Sequence, residues 1–389
     1  MTPDIVLIIT LSLVLIFSPF FAKILQIPTT PVEIVLGAIL GYFGFLHESH
    51  LFELVAEVGF LFLMFLAGTE VDIQKVLKTK ASLMKRILFY LATLYILAIM
   101  ISLYFGLGKI FIILLPLISV GLVAALSKEF GKTPWLELSM TAGSIGEILS
   151  IAGLTLASAS LEFGVGVEFF QVIAALVAFI VFIFILFRAL QLFFWWYPEV
   201  ALALMPHQDN KEQDIRLSIG VLFLLISGMM YLDLELAFGA FIAGMFLPTF
   251  FKHKHDLPEK LASFGFGFIV PIFFIYIGTS LHLEALLVDG LILTAVVISF
   301  AMIMMRLAGS LVFVHSLGLR DALLMGLSHS MPLTLLIALA TLAYHANSID
   351  KLHYYALILA SLFQVIVVMI SIKLLISYWP EKTIKEDSL

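Results

Sequence analysis

One acidic residue, Glu147, lies in the middle of a stretch that is long enough to cross a lipid bilayer. The stretch runs from Trp135 to Ser160. A carboxylate at membrane depth costs roughly 2.5–3.5 kcal/mol on insertion scales, so such residues usually face a bundle interior or a water-filled path and mark function. Small residues surround the acid and would let a backbone, water or an ion approach closely. They are Ala142, Gly143, Ser144, Gly146 and Ser150. The pattern predicts an ion or proton site; the alternative is a structural acid satisfied by a neighbouring helix.

Such a carboxylate could bind a proton and a hard monovalent cation by turns. When ionised it offers oxygen ligands, and when protonated it is neutral. Crossing the membrane with the acid bare would carry an uncompensated charge through a low-dielectric barrier, so only the loaded states would move. Ser144 and Ser150 lie three residues either side of Glu147, on roughly the same helix face. They could add oxygen ligands or pack as ordinary helix serines.

The composition is that of a membrane protein. The chain has 389 residues, of which 62% are hydrophobic and 12% charged, and its mean hydropathy of +1.15 excludes an ordinary soluble protein. We expect one transmembrane domain over residues 1–380 and a short cytoplasmic tail over 381–389. Cysteine is absent, which excludes disulfides and thiol nucleophiles. The zincin, nucleophile-elbow, Walker and Rossmann patterns are absent too, so we expect neither an enzyme nor a cofactor.

The apolar segments predict an all-α polytopic protein with thirteen transmembrane helices, the N-terminus outside and the C-terminus inside. Windows of about 20 apolar residues place the spans near 4–24, 31–46, 52–69, 83–106, 109–127, 135–160, 167–195, 213–231, 234–250, 261–281, 285–314, 321–344 and 352–378. Of the 21 Lys and Arg residues, 18 then fall on the cytoplasmic side, Lys109 and Lys351 fall outside, and Arg306 lies within a span. This asymmetry follows the positive-inside rule, and one miscounted helix would destroy it.

Weak echoes between the two halves predict two inverted repeats. The run GFLFLMFLAGTEVDI from Gly59 resembles PIFFIYIGTSLHLEAL from Pro271, seven spans later. The second and ninth spans share paired glycines at the same offset. These pairs are Gly37 with Gly41 and Gly239 with Gly244. An odd offset inverts the second repeat relative to the first.

The fifth and twelfth spans correspond at that offset, and both are interrupted. The fifth contains Pro116, Ser119 and Gly121, and the twelfth contains Gly326 and then SHSMPLT over Ser328 to Thr334. Helix breaks at membrane depth persist only where protein or water satisfies the freed backbone groups. Corresponding broken helices are the best sequence indication of a transporter's binding site. Two ordinary proline kinks are the alternative.

Several of these motifs resemble the monovalent cation:proton antiporter-2 family, the Kef-type sodium or potassium/proton exchangers. The runs that carry the resemblance are EVGFLFLMFLAGTEVDI from Glu57, GAFIAGMFLP from Gly239, VPIFFIYIGTSLHL from Val270 and RLAGSLVFVHSLGLRDALLMGL from Arg306. Aligned through ALSKEFGKTPW from Ala125, the family's paired polar-acid motif falls on Gly146 and Glu147.

The resemblance implies a homodimer in a bacterial inner membrane that exchanges sodium or potassium for protons and serves pH homeostasis. In each protomer a core bundle with two crossed, discontinuous helices would move like an elevator against a dimerisation domain. Glu147 matches the acid that binds cation and proton, Ser119 a polar residue of the first broken helix, and Arg306 the basic residue facing the acid motif. The second broken helix would contribute its polar residues, His329, Ser330 and Thr334.

Two departures from the family pattern bear on mechanism. Gly146 stands where Asp, Asn or Gln is common, and Glu147 stands where Asp is usual. The segment SHSMPLTLL replaces a Gly-Glu pair that many relatives carry. One acid should carry one charge, so we expect electroneutral exchange of one cation for one proton.

Arg306 and His329 each have competing interpretations. The Arg306 guanidinium stays protonated, so it could pair with a polar or acidic group, order the carbonyls of a broken helix, or simply snorkel toward the cytoplasmic face. His329 could sense pH or be a satisfied buried histidine.

Two other functions remain open at this point. A sodium-coupled symporter of an organic solute shares the crossed-helix architecture, and the missing second acid would suit one. A non-transporting membrane sensor would suit the altered motif at Gly146. The sequence does not choose between sodium and potassium, because both are hard cations bound by oxygen.

Overall fold

The computed structural model contains only helices as regular elements in the part of the chain it describes. Those residues are 3–25, 27–47, 49–71, 78–131, 133–162, 166–197, 199–200, 212–232, 234–250, 256–281 and 290–379. The predicted tail over 381–389 lies outside them.

The helices follow the apolar segments of the sequence closely. In chain order they are α1 (Pro3–Leu25), α2 (Thr29–Tyr42), α3 (His50–Thr69), α4 (Ala81–Phe105), α5 (Phe111–Leu114), α6 (Gly121–Phe130), α7 (Pro134–Glu162), α8 (Val167–Trp196), α9 (Gln213–Tyr231), α10 (Leu236–Phe250), α11 (Leu257–Phe264), α12 (Val270–Ser280), α13 (Leu291–Ser310), α14 (Val314–Leu317), α15 (Leu319–Ser328), α16 (Leu333–His345) and α17 (Lys351–Tyr378). A π-helical turn joins α11 to α12, and a 3-10 turn joins α13 to α14.

Many of these helices could cross a bilayer. Within the described residues, eight helical segments are long and apolar enough to do so, and the bent pair α15–α16 makes a ninth. Helix α7, which carries Glu147, is 29 residues long. The count of thirteen spans and the orientation of the termini stay predictions.

The chain divides into two compact units that are each discontinuous in sequence. One unit consists of Met1–Lys78, Ile151–Leu291 and Leu342–Ser348; the other consists of Thr79–Ser150, Ile292–Thr341 and Ile349–Leu389. The predicted roles of a dimerisation bundle and an ion-binding core bundle stay predictions.

In the first unit, glycines allow helix backbones to touch. A Cβ added at Gly278 of α12 would lie 2.1 Å from the carbonyl oxygen of Ile34 in α2, and one added at Gly244 of α10 would lie 2.0 Å from that of Phe65 in α3. Such close approach is what small residues provide at helix interfaces in membranes.

The packing of this unit is consistent with the predicted repeats. Under the seven-span offset, α2 corresponds to α10, and α3 corresponds to α12. The helix pairs α2–α12 and α3–α10 are in close contact. Replacing each helix by its counterpart turns one pair into the other. Equivalent contacts of this kind are expected when two similar halves pack around a pseudo-two-fold axis.

The contact at Gly278 provides a test of this packing. We expect Gly278→Ala to lower the midpoint of thermal unfolding in detergent, because the new methyl group meets backbone atoms that cannot move aside; overpacking of this kind costs about 1–3 kcal/mol. Gly220→Ala in α9 is the matched control, since its added Cβ meets nothing within 4 Å. Equal midpoints for the two variants would contradict the close contact.

Candidate functional site

Both predicted helix interruptions are present, and both lie in the second unit. The first separates α5 from α6 over residues 115–120 and contains Pro116; the second separates α15 from α16 over residues 329–332 and contains Pro332. The two halves of the second broken helix are bent by 42°. Proline cannot donate to the carbonyl one turn earlier, so each break leaves helix ends whose polar groups need other partners.

Glu147 satisfies one end of the first break. Its side chain is fully buried (0% exposed), and Oε2 accepts a hydrogen bond from the backbone N–H of Val120 at 3.3 Å. Val120 is the residue that precedes α6. The carboxylate therefore lies at the N-terminus of a ten-residue helix, where the partial positive charge of the helix dipole favours an anion.

Arg306 satisfies the other side of the same break. Its side chain is also 0% exposed, and Nη2 donates to the carbonyl oxygens of Leu115, at 2.9 Å, and Leu117. Nη1 donates to Met302 O in its own helix, at 2.8 Å. The snorkelling interpretation is therefore wrong, because the guanidinium is needed inside the protein to pair these carbonyls. Ordering of broken-helix carbonyls is the alternative that the structure supports.

The two breaks approach each other through hydroxyl groups. Ser119 Oγ lies 3.4 Å from Thr334 Oγ1, which joins the non-helical part of the first broken helix to the first turn of α16. Ser119 is 4% exposed, and Thr334 is partly buried. The hydroxyl oxygens of both residues keep lone pairs that a cation could use.

Ser144 and Ser150 are occupied within their own helix. Ser144 donates to Met140 O at 2.9 Å, and Ser150 donates to Gly146 O at 2.7 Å. Both are buried. The structure therefore accounts for their hydroxyl protons through helix back-bonding, while their oxygens remain able to accept or to ligate.

His329 and Ser330 lie in the second break, and both are buried. The two ring nitrogens of His329 contact Tyr90 of α4 and Ser139 of α7, and Ser330 Oγ donates to Gly326 O at 2.8 Å. Sequence patterns alone do not single out Tyr90 or Ser139, because each looks like an ordinary residue of an apolar helix.

Glycines on α7 allow both breaks to approach this helix. A Cβ added at Gly143 would lie 3.2 Å from Val120 Cγ2 and 3.5 Å from His329 Nε2, and one added at Gly146 would lie 2.9 Å from Ile118 Cδ1. With Ser139 and Glu147, these glycines form one face of the helix at spacings of three and four residues. We call this the α7 face: Ser139, Gly143, Gly146 and Glu147.

The site brings together several oxygen atoms that could act as ligands. Among the described residues there is no group of three or more His, Asp or Glu side chains that could hold a metal ion. The available donors are the oxygens of Glu147, of the hydroxyl residues and of the broken-helix carbonyls. Hard cations bind such oxygen donors.

Comparison with known proteins gives a consistent result. A family model described as sodium/hydrogen exchanger, transmembrane, matches residues 8–377. The Probable Na(+)/H(+) antiporter 3 of Methanocaldococcus jannaschii is 27% identical over 291 residues, 72% of each chain. The ammonium/H(+) antiporter subunit AmhT of Alkalihalophilus pseudofirmus is 24% identical over 282 residues, 69% of this chain and 68% of that protein.

A solved structure shows the same fold. The sodium proton antiporter MjNhaP1 of Methanocaldococcus jannaschii at pH 8 superposes with a TM-score of 0.66 and 17% identity, over 97% of this chain and all of that one. These matches support sodium/proton exchangers as a class. The narrower resemblance to Kef-type exchangers stays a prediction.

The role of Arg306 can be tested through stability. We expect Arg306→Leu to lower the thermal unfolding midpoint in detergent, since each backbone carbonyl left unpaired in a buried site costs roughly 1–3 kcal/mol. Arg188→Leu is the matched control, because Arg188 is exposed and its guanidinium carbon lies over the Phe184 ring, 5.9 Å from the centroid. A midpoint for Arg306→Leu as high as that of the control would show that the carbonyls do not need the guanidinium.

Proposed function

This chain belongs to the sodium/hydrogen exchanger family, and from that premise we propose that it exchanges a monovalent cation for a proton at Glu147. The observation that carries the proposal is the position of this carboxylate. It is fully buried, and it accepts a hydrogen bond from the N–H at the start of α6. A single group placed there can be neutralised by a proton or by a cation, but not by both.

Coupling would follow from the cost of an unneutralised charge. Moving a bare carboxylate across a low-dielectric barrier is unfavourable by several kcal/mol. Binding either substrate removes that cost, so the protein would change its accessible side only when loaded. Because the two ions compete for one group, each crossing carries only one of them, and the cation and the proton must move in opposite directions.

The rest of the site would complete the cation shell. Ser119 and Thr334 bring one hydroxyl from each broken helix to within 3.4 Å of each other. Ser144 and Ser150 of α7 and Ser330 of the second break provide further oxygen atoms. We propose these as ligands or supports of the cation, with Arg306 holding the first break in shape.

The larger architecture is proposed on the same basis. We propose thirteen spans with the N-terminus outside, two inverted repeats, a homodimer in a bacterial inner membrane, and an elevator-like movement of the unit that contains Glu147. The division of the chain into two compact units supports this part of the proposal. The role would be pH homeostasis.

The stoichiometry should be one cation for one proton. In the family pattern the residue before the acid is usually polar or acidic, and here it is Gly146, where an added Cβ would lie 2.9 Å from Ile118 Cδ1 and 3.3 Å from Leu91 Cδ2. This packing leaves no room for a second carboxylate without displacement of neighbours. With one titrating acid, each direction carries one positive charge.

The identity of the cation is the finer question. The curated relatives include one named for sodium and one named for ammonium, and the Kef-type resemblance adds potassium. We propose sodium or potassium, and ammonium belongs in the same assay. If the protein were a sodium-coupled symporter, sodium uptake would require an organic solute and would leave the internal pH unchanged. A non-transporting sensor would move no cation.

Replacement of the acid is the direct test. In proteoliposomes with an internal pH dye, we expect wild type to move protons when sodium, potassium or ammonium is added, and Glu147→Gln to lose exchange by at least about 100-fold, because its side chain binds neither substrate as a charge. Glu33→Gln is the matched control, since Glu33 is also a buried acid (4% exposed) but lies in the other unit. A fully active Glu147→Gln variant would remove this acid from the mechanism.

Electroneutrality can be measured separately. We expect the rate of exchange to be unchanged when an ionophore imposes a membrane voltage, since equal charge crosses in both directions. The same liposomes treated with a protonophore confirm that the imposed voltage is present. A rate that rises or falls systematically with voltage would contradict one-for-one exchange.

A further inference from the structure

Two residues occupy matching positions relative to the two helix breaks. The pair Pro332-Leu333 lies 216 residues after Pro116-Leu117, and Arg306 lies 216 residues after Tyr90. Each pair of positions falls on corresponding spans of the predicted repeats. Tyr90 on α4 is therefore the repeat counterpart of Arg306 on α13.

Each of these two residues contacts the broken helix of the opposite repeat. Arg306, from the second repeat, donates to the backbone of the first break. Tyr90, from the first repeat, hydrogen-bonds His329 in the second break, with its hydroxyl 2.9 Å from Nδ1. Both side chains are 0% exposed. Each repeat thus uses the same helix position to hold the broken helix of the other.

The hydrogen bonds of His329 define which atoms carry protons. Nε2 lies 2.9 Å from the carbonyl oxygen of Ser139, and a carbonyl can only accept, so Nε2 carries the hydrogen. In the neutral ring Nδ1 then accepts, and the Tyr90 hydroxyl donates. The imidazole has a partner on both nitrogens in its neutral form.

Two further contacts lie beside this ring. Ser328 Oγ lies 3.0 Å from Ser139 Oγ, which joins α15 to α7, and it donates to Met325 O. The ring centroids of Tyr90 and His329 are 5.7 Å apart. Arg306 is a charged group within electrostatic range of both rings. The second break is therefore clamped between α4 and α7 by neutral groups.

We propose that Tyr90 is a positioning residue for the cation site, acting through His329 on the second break. His329 immediately precedes Ser330 and lies five residues before Thr334. A shift of the ring would move the Thr334 hydroxyl away from Ser119. This inference rests on the proposed function for its effect on transport, but the clamp itself is a structural claim.

Removal of one hydroxyl group tests the proposal. We expect Tyr90→Phe to raise the KM for the cation about five- to tenfold, the effect of one lost buried hydrogen bond, with kcat and the shape of the pH profile retained. Tyr354→Phe is the matched control, because Tyr354 is 3% exposed and its hydroxyl lies 3.5 Å from Thr341 Oγ1, which is within α16 and nine residues beyond Pro332. Unchanged KM in Tyr90→Phe would overturn the proposal.

A conservative change at His329 separates positioning from proton transfer. Glutamine can accept from Tyr90 and donate to the Ser139 carbonyl, so His329→Gln should keep KM within about threefold of wild type and leave the pH profile in place. A shifted pH profile, or a large loss of kcat in either variant, would show that the pair carries protons and overturn the positioning role.

Failure of the proposed function would be recognised independently. If wild type exchanges no cation, that function is wrong, and the clamp is then tested by thermal unfolding in detergent. Tyr90→Phe should unfold at a lower temperature than Tyr354→Phe, and equal midpoints would contradict the clamp. If Tyr90→Phe cannot be obtained folded, the His329→Gln measurements decide.

Discussion

Backbone groups inside a membrane must find partners within the protein, and the first helix break shows how this requirement shapes the site. Hydrocarbon offers no hydrogen bonds, so an exposed N–H or carbonyl costs several kcal/mol. Glu147 accepts from the N–H that starts α6, and Arg306 donates to the carbonyls that end the preceding segment. An anion lies at the positive helix end and a cation at the negative one. The carboxylate that we propose as the ion-binding group is thus also one of the two charges that satisfy the break.

This arrangement explains why so many small residues lie on one helix. The α7 face has to bring Glu147 against the first break and Ser139 against the second, and side chains between them would hold the breaks away. A Cβ at Gly143 would contact Val120 and His329, one residue from each break. Gly146 then has a packing reason for being glycine, since Ile118 already fills the space beside it. The glycine at position 146 therefore accounts both for the lack of an acid at that position and for the close fit of the first break against α7.

Features that depend on local sequence, such as helix positions and breaks, could be predicted. Side-chain contacts between residues far apart in the sequence could not. Apolar length located the helices to within a few residues where the structure describes them, and Pro116 and Pro332 marked both breaks, because proline acts on its own backbone. Burial of Glu147 followed from its cost in hydrocarbon. The carbonyl partners of Arg306 were one of three alternatives, since a guanidinium in a span is equally compatible with snorkelling. Tyr90 was missed because a tyrosine in an apolar helix carries no signal until the break beside it is known.

The two predicted repeats would use one geometry with different chemistry, and this bears on the charge carried in the proposed exchange. Arg306 gives the first break a fixed positive charge, while Tyr90 and His329 hold the second break with neutral groups. A guanidinium stays protonated at any ordinary pH, so it contributes the same charge whether Glu147 holds a proton or a cation. If Arg306 moves with the site, its positive charge crosses once in each direction. Its contribution to the net charge moved is therefore zero over a complete cycle. In the proposed exchange, the charge balance would therefore be set by Glu147, even though the site contains two buried charges.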